Sequence, residues 1–322
     1  GRMRAVILGG AGAIGGATAA RLADAGWRVD VTGRSPEHMP HELRDAGIRF
    51  HRIDRSDTAA IERLIGTGAE LLVDLLAYRA DDVRALLPAL SSVRSPVIIS
   101  SRAVYVDAQG NHINGDRPPR FPTPLPESNP TLPPAADDAD PHTREGYAPC
   151  KVAVELAALD SGLPVTVIRP SKVHGPWARN ARTTTFVERM LRGTEPIALA
   201  GLGASVDHLT AAANTAALIE TVAGMPGARV VHSADPDAPT ARRIVRAIGD
   251  ALGWRGELEL LEATEAGDDA ARGAHPWAAP NPIVLDTSAA LALGYRPAAL
   301  GIDLIKDEAR WVAARLRAAQ RR

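Results

Sequence analysis

Tyr147 and Lys151 stand four residues apart in Tyr147-Ala148-Pro149-Cys150-Lys151, and on a helix that spacing puts two side chains on one face. An ammonium held there lowers the pKa of a phenol and makes it a proton donor or acceptor near neutral pH. Far upstream, Leu8-Gly9-Gly10-Ala11-Gly12-Ala13-Ile14-Gly15 spaces Gly9, Gly12 and Gly15 between a strand-like and a helix-like segment. Glycine permits a tight turn and close backbone approach, so a pyrophosphate can accept hydrogen bonds at the positive end of the helix that follows. Taken singly, the first motif is a common surface pair and the second a turn that binds nothing. Their order and separation together point to nicotinamide-dependent redox chemistry.

These residues need a scaffold, and the first half of the chain supplies its pattern. Short β-branched runs at Ala5–Leu8, Val29–Thr32, Ile48–Ile53, Leu71–Leu75, Val97–Ser100 and Val165–Ile168 read as strands. Helical patterns alternate with them at Ile14–Ala25, Thr58–Ile65, Asp81–Leu90 and Tyr147–Leu159, and Gly26 ends the first. Such alternation predicts a doubly wound α/β fold, a parallel sheet with helices on both faces and right-handed crossovers. After Pro170 the expected elements shorten: helices near Thr184–Arg192, Ala211–Val222, Thr240–Leu252 and Ile302–Arg317, and strands near Val230–His232, Leu258–Leu261 and Ile283–Leu285. The chain is therefore divided into a dinucleotide-binding domain over residues 3–170 and a smaller, partly interleaved substrate lobe over 171–322.

Between Asp107 and Gly146 lie nine of the 25 prolines, seven acidic and three basic residues, with little apolar periodicity. Long irregular loops inside a compact domain are commonly active-site covers or disordered segments. Its position between Ser101 and Tyr147 favours a cover, mobile until ligand binds.

Composition narrows the partners. With 322 residues, 45% hydrophobic content, a net charge of -1 and a pI near 6.8, nothing global attracts nucleic acid. No apolar run approaches the roughly 20 residues that span a bilayer, and no signal peptide is expected. The single cysteine, Cys150, forbids an intrachain disulfide and fits a reducing cytoplasm. Gly1-Arg2 ahead of Met3 reads as a remnant of expression. The expected partner is a small-molecule substrate, with neither nucleic acid nor membrane. Where an acidic residue at the end of the second strand would select a free ribose hydroxyl, the chain has Gly33-Arg34-Ser35, so Arg34 is placed to meet the 2′-phosphate of NADP. A solvated loop cation is the alternative, and NAD stays open. Asp54 ends the third strand near the expected adenine, although Asp54 and Asp57 could equally cap a helix.

Over nearly its whole length the chain resembles an extended short-chain dehydrogenase/reductase of the NAD-dependent epimerase/dehydratase family. Gly9, Gly12 and Gly15 match the cofactor turn, and Ser100-Ser101-Arg102-Ala103-Val104-Tyr105 the serine-bearing strand end. Tyr147 and Lys151 match the catalytic helix, and Val167-Ile168-Arg169-Pro170-Ser171-Lys172-Val173-His174-Gly175-Pro176 the turn that reaches the nicotinamide. Asp235-Pro236-Asp237-Ala238-Pro239-Thr240, Leu285-Asp286-Thr287-Ser288 and Leu293-Gly294-Tyr295-Arg296-Pro297 are also family-like. The resemblance implies that Tyr147 is the acid/base, that Lys151 tunes it and holds the nicotinamide ribose, and that Ser101 hydrogen-bonds the reacting oxygen. It further implies that Gly9, Gly12, Ala13, Ile14, Gly15, Arg34, Asp54, Ala77, Ser100, Tyr147, Lys151, Pro170 and Val173 contact the cofactor, and that the protein forms a homodimer. Either serine could instead cap a neighbouring backbone amide.

Three departures border the expected pocket: Val106 stands where the family commonly has glycine, His174 where tyrosine is usual, and Ser101 lies 46 residues before Tyr147. Arg102 and Ala103 replace the acidic pair of the dehydratases, which disfavours dehydration. His38 and His41 with Glu37 and Glu42 sketch a metal site too sparse to expect, and no metal is assigned. Cys150 is expected to pack rather than react, His174 to bind substrate or pack, and Arg179 and Arg182 beside Trp177 to sit on the surface or hold a substrate anion such as a sugar diphosphate. The expected activity is NADP-preferring hydride transfer to or from a carbonyl or secondary alcohol of a small polar metabolite, a nucleotide-activated sugar among them. An NAD-dependent sugar epimerase and a non-catalytic NADP-binding redox sensor are the alternatives.

Overall fold

The computed structural model of the protein describes residues 2–262 and 272–322. Six parallel strands come from the first half of the chain: β1 (Arg4–Leu8), β2 (Arg28–Gly33), β3 (Arg49–Arg52), β4 (Ala69–Asp74), β5 (Val93–Ile99) and β6 (Thr166–Pro170). A seventh, β10 (Arg229–Ser233), returns from beyond Pro170 to pair with β6, giving the order β10-β6-β5-β4-β1-β2-β3. The order reverses between β1 and β4, and in open α/β sheets ligands bind where it does, beyond the carboxyl ends of the strands.

Helices cover both faces because alternate residues of buried strands point to opposite sides. On one face Ala5 and Ile7 pack with Leu71, Val73, Val97 and Ile99 against Ile14, Ala19 and Leu22 of α1 (Ala13–Asp24) and Leu218, Ile219 and Val222 of α7 (Ala212–Ala223). On the other, Val6, Leu8 and Leu72 meet Ile61 and Ile65 of α3 (Thr58–Ile65) and Leu86 and Leu90 of α4 (Ala80–Leu90). Ile98, Val165 and Val167 meet Val154 and Ala158 of α5 (Arg144–Leu159) on that same face. The Asp57 carboxylate caps α3 by accepting from Ala60 N at 3.0 Å, and the Thr143 hydroxyl caps α5 by accepting from Gly146 N at 2.9 Å. That second cap starts α5 three residues ahead of Tyr147. A short α2 (His41–Asp45) buries Leu43.

A separate apolar cluster joins α6 (Thr184–Arg192), α8 (Ala241–Leu252) and α10 (Gly301–Gln320) around the buried Trp277. Two short parallel pairs lie outside the main sheet: β7 (Lys172–His174) with β9 (Leu209–Ala211), and β8 (Ile197–Leu199) with β11 (Leu258–Leu260). The expected strand at Ile283–Leu285 is instead two single bridges, Ile283 to Asp207 and Leu285 to Leu125, because its neighbours on each side are lone residues of turns rather than strands. α9 (Ser288–Ala292) follows it.

The proline-rich segment is irregular, as expected, but it is tied down. Phe121 and Leu125 enter a cluster with Val104, Tyr105, Val152, Ala234, Ile283 and Leu285, and Leu125 is wholly buried. The Asp107 carboxylate accepts from the backbone N–H groups of Gln109, Asn111 and Arg120 at 2.8 to 2.9 Å. Prolines set the path, and the few apolar residues do the docking that periodicity could not reveal.

Candidate active site

The turn after β1 has the shape a pyrophosphate requires. Gly9 adopts φ +90°, a conformation L side chains rarely take. A Cβ on Gly15 would lie 2.6 Å from Gly10 Cα, so glycine there permits the close packing of turn and helix, whereas a Cβ on Gly12 would meet nothing within 4 Å. Gly12 caps α1 without a side chain, and the amides of Ala13, Ile14 and Gly15 in the first turn have no intrahelical acceptor.

Across the switch point, β5 ends at Ser100 and Ser101. The two hydroxyls diverge: Ser100 donates to Glu155 and is buried, while Ser101 Oγ accepts from Ala103 N at 3.0 Å and hydrogen-bonds Tyr147. Ser101 thus caps a turn and touches the phenol at once. Ser100 faces the sheet interior, so any contact it makes with a cofactor would run through its backbone.

Lys151, one turn further along α5, is 3% exposed and donates to Ala77 O at 2.8 Å and Ile99 O at 3.1 Å, the carbonyls at the ends of β4 and β5. Burial pushes its pKa down to about 8, against the pull of Asp74 and Glu155. The Tyr147 phenol is held above its usual value by burial, with the Ser101 hydrogen bond opposing. The expected lowering by Lys151 is not what this geometry produces, because the ammonium points at two carbonyls and lies 6.0 Å from the Tyr147 ring centre. The same ammonium lies 5.1 Å from the ring centre of Tyr78, whose far side meets His142 of the proline-rich segment at 5.4 Å. No sequence signal marked Tyr78.

Arg34 is well exposed at the end of β2 and pairs with Asp54 at 3.5 Å. Asp54 also accepts from Ser56 N and Oγ, which with the Arg34 charge holds its carboxyl below the usual range. The acid that β2 does carry, Asp30, is fully buried and engaged by Arg4 and His51. Ala77 and Pro170 are buried and Val173 half-buried along the crevice side of the strand ends.

His174 is 4% exposed, with Nε2 2.9 Å from Asp235 Oδ2, which is a packing role. Cys150 is buried, and burial raises its thiol pKa, so it packs as expected. Arg102 departs from the family at a telling place. Its guanidinium forms a two-pronged ion pair with the buried Asp207 and donates to Ser171 Oγ at 3.0 Å, while Lys172 Nζ joins the same carboxylate at 3.1 Å. A second buried network links Glu155 to Arg169, Arg169 to Tyr105, and Tyr105 to His232. Neither network had a local sequence signal, since Arg102 and Asp207 are 105 residues apart.

Comparison with known proteins agrees with this geometry. The profile of the NAD dependent epimerase/dehydratase family matches residues 5–106. A (4-alkanoyl-5-oxo-2,5-dihydrofuran-3-yl)methyl phosphate reductase from Streptomyces griseus is 30% identical over 283 residues, covering 86% of this chain and 82% of that protein. A UDP-glucose 4-epimerase from Thermotoga maritima shares the fold with a TM-score of 0.68 at 19% identity, covering 98% of this chain and 100% of the other. A dTDP-glucose 4,6-dehydratase from Streptomyces venezuelae, solved with NAD bound, does so at 0.67 and 22% identity over 96% of each chain. The chain belongs to the NAD-dependent epimerase/dehydratase family of extended short-chain dehydrogenases/reductases.

Proposed function

We propose that the protein is an NADP-preferring reductase acting on a carbonyl of a small polar metabolite. The observation that carries this reading is the convergence of Ser101, Tyr147 and Lys151 beside the open glycine cradle at the switch point. The amides of Ala13, Ile14 and Gly15 would hold the pyrophosphate, Lys151 and the Ala77 turn the nicotinamide ribose, and Pro170 and Val173 the nicotinamide edge. NADPH, when bound, supplies the hydride. Tyr147 gives its proton to the substrate oxygen, and burial, by keeping the phenol protonated at neutral pH, suits it to reduction. Ser101 donates to the same oxygen as charge develops there. Lys151 would hold the ribose and keep an ammonium 6.0 Å from the Tyr147 ring centre.

The reductase activity in the name of the Streptomyces griseus relative favours reduction over epimerisation, and its substrate carries a phosphate ester. Residues 3–170 would form the dinucleotide-binding domain and 171–322 mainly the substrate lobe, partly interleaved, a division supported by α7 and β10 returning to the main sheet. Among the described residues no helix is long and apolar enough to cross a membrane.

The test is which nucleotide co-purifies and whether it exchanges. Exchangeable NADPH with turnover of a carbonyl panel is expected, and Arg34→Ala should weaken NADPH binding at least about tenfold more than NADH binding at fixed ionic strength, having lost a charge-assisted grip on the 2′-phosphate. Tightly retained NAD⁺ would favour an epimerase. Cofactor binding without turnover would favour a sensor, and equal losses for the two nucleotides would remove Arg34 from recognition.

A further inference from the structure

Around Arg102, which follows Ser101 in sequence, the described residues gather more positive charge than they neutralise. Arg102 and Lys172 both pair with one carboxylate, Asp207, which is 4% exposed, and the exposed Arg182 lies near enough to feel the same charges. Glu308, the next acid to act on Arg182, is already engaged by Gly175 N and Thr183 Oγ1. Asp207 already takes both prongs of Arg102 and one N–H of Lys172. Lys172 spends a second N–H on Pro276 O, leaving the third without a partner among the described residues. Arg182 spends one N–H on Val173 O at 2.9 Å and presents the rest of its fork. Burial lowers the pKa of both Lys172 and Arg182, and the neighbouring cations press further: Arg102 and Arg182 on Lys172, and Arg102 on Arg182. Partly buried charge of one sign is costly unless something compensates it.

We propose that this cluster is an anion subsite for a phosphate monoester on the substrate, gripped by Lys172 and Arg182 while Asp207 holds Arg102 as the fixed floor of the subsite. This rests on the reductase reading for placing the anion on the substrate. A phosphate monoester carries about -1.5 to -2 charges at neutral pH and several acceptor oxygens, which matches two incompletely used cationic donors. Arg102 adjoins Ser101 in sequence and Lys172 lies between Pro170 and Val173, so the anion would sit on the same side of the strand ends as the reacting carbonyl. The placement also gives a reason for Arg102 to stand where the family's dehydratases carry an acid, since a carboxylate there would repel the ester.

The probes are inorganic phosphate, glycerol 1-phosphate, glycerol and UDP, titrated calorimetrically into the protein with NADP present and absent. Glycerol 1-phosphate and phosphate should bind, glycerol should not, and Lys172→Gln with Arg182→Gln should weaken the phosphate ligands at least about tenfold. Lys172→Arg, which keeps the charge beside Asp207, should retain binding, and exposed Arg179→Gln should leave it unchanged. In turnover, dihydroxyacetone phosphate should show a KM at least about tenfold below that of dihydroxyacetone, a preference lost in the Lys172→Gln/Arg182→Gln protein. Phosphate binding that is absent, or undiminished in a folded Lys172→Gln/Arg182→Gln protein, overturns the proposal. UDP binding much tighter than glycerol 1-phosphate and dependent on the same residues also overturns it, in favour of a nucleotide diphosphate. Phosphate binding that survives while no carbonyl turns over leaves the subsite standing and removes the reductase reading.

Discussion

At the residue scale, the chemistry reduces to who holds the proton and who steadies the oxygen. Tyr147→Phe removes the transferable proton and almost no volume, so cofactor binding should persist while turnover falls by about 10²- to 10⁴-fold. Ser101→Ala should cost about 10²- to 10³-fold as one donor to the developing oxyanion, with a further small stability loss from the uncapped Ala103 amide. Steady-state kinetics on purified, folded variants decides both, and wild-type turnover in the Phe variant would refute the role of Tyr147. The glycine spacing and the Tyr-Lys interval made these positions legible because local backbone geometry dictates them. Tyr78, Arg102 and Asp207 were illegible for the opposite reason: their partners arrive from distant parts of the chain, and a single tyrosine or arginine carries no mark of where it will land.

Elements were legible in proportion to how far one stretch of sequence determines its own burial. The strands β1, β4 and β5, apolar on both faces, and the helices Thr58–Ile65 and Thr184–Arg192 fall where the pattern puts them. β7, β8 and β9 have three residues each and exist only because a partner strand lies alongside, so no periodicity could announce them. The segment from Asp107 to Gly146 is the instructive case. Its polarity suggested a mobile cover, yet Leu125 is fully buried and Asp107 gathers three amides. Leu125→Ala should therefore lower unfolding free energy by about 2–5 kcal/mol, the cost of a core cavity, as read from urea denaturation. Hydrogen exchange of the Gln109, Asn111 and Arg120 amides should be slow in the ligand-free protein. A near-zero cost together with fast exchange in those amides would mean the segment is undocked in solution.

At the scale of the whole molecule, two buried histidines fasten distant regions together in their neutral forms. His208 Nδ1 accepts from Leu285 N at 3.0 Å while Nε2 donates to Asp235 O at 2.8 Å, and His232 Nδ1 donates to Asp286 O at 2.7 Å while Nε2 accepts from the Tyr105 hydroxyl. Burial lowers both pKa values below the usual 6.5. The unfolded chain then binds more protons than the folded one, so this contribution is complete above the unfolded pKa and is lost as pH falls through 6.5 toward the folded values. Lowering the pH from about 7.5 to about 5.5 should therefore lower the unfolding free energy. An unchanged urea midpoint across that interval would refute it. The late strand β10 bears on how this protein can be cut. A gene fragment ending after Pro170 would carry every residue assigned to proton transfer and all of those assigned to the nucleotide except Val173, yet would bare the flank of β6 that β10 covers with five paired residues. An uncovered apolar strand flank recruits other chains, so such a fragment should precipitate rather than bind nucleotide. Separating the two halves for crystallography or recombination requires carrying both α7, which packs with α1 on the sheet, and β10 along with the first.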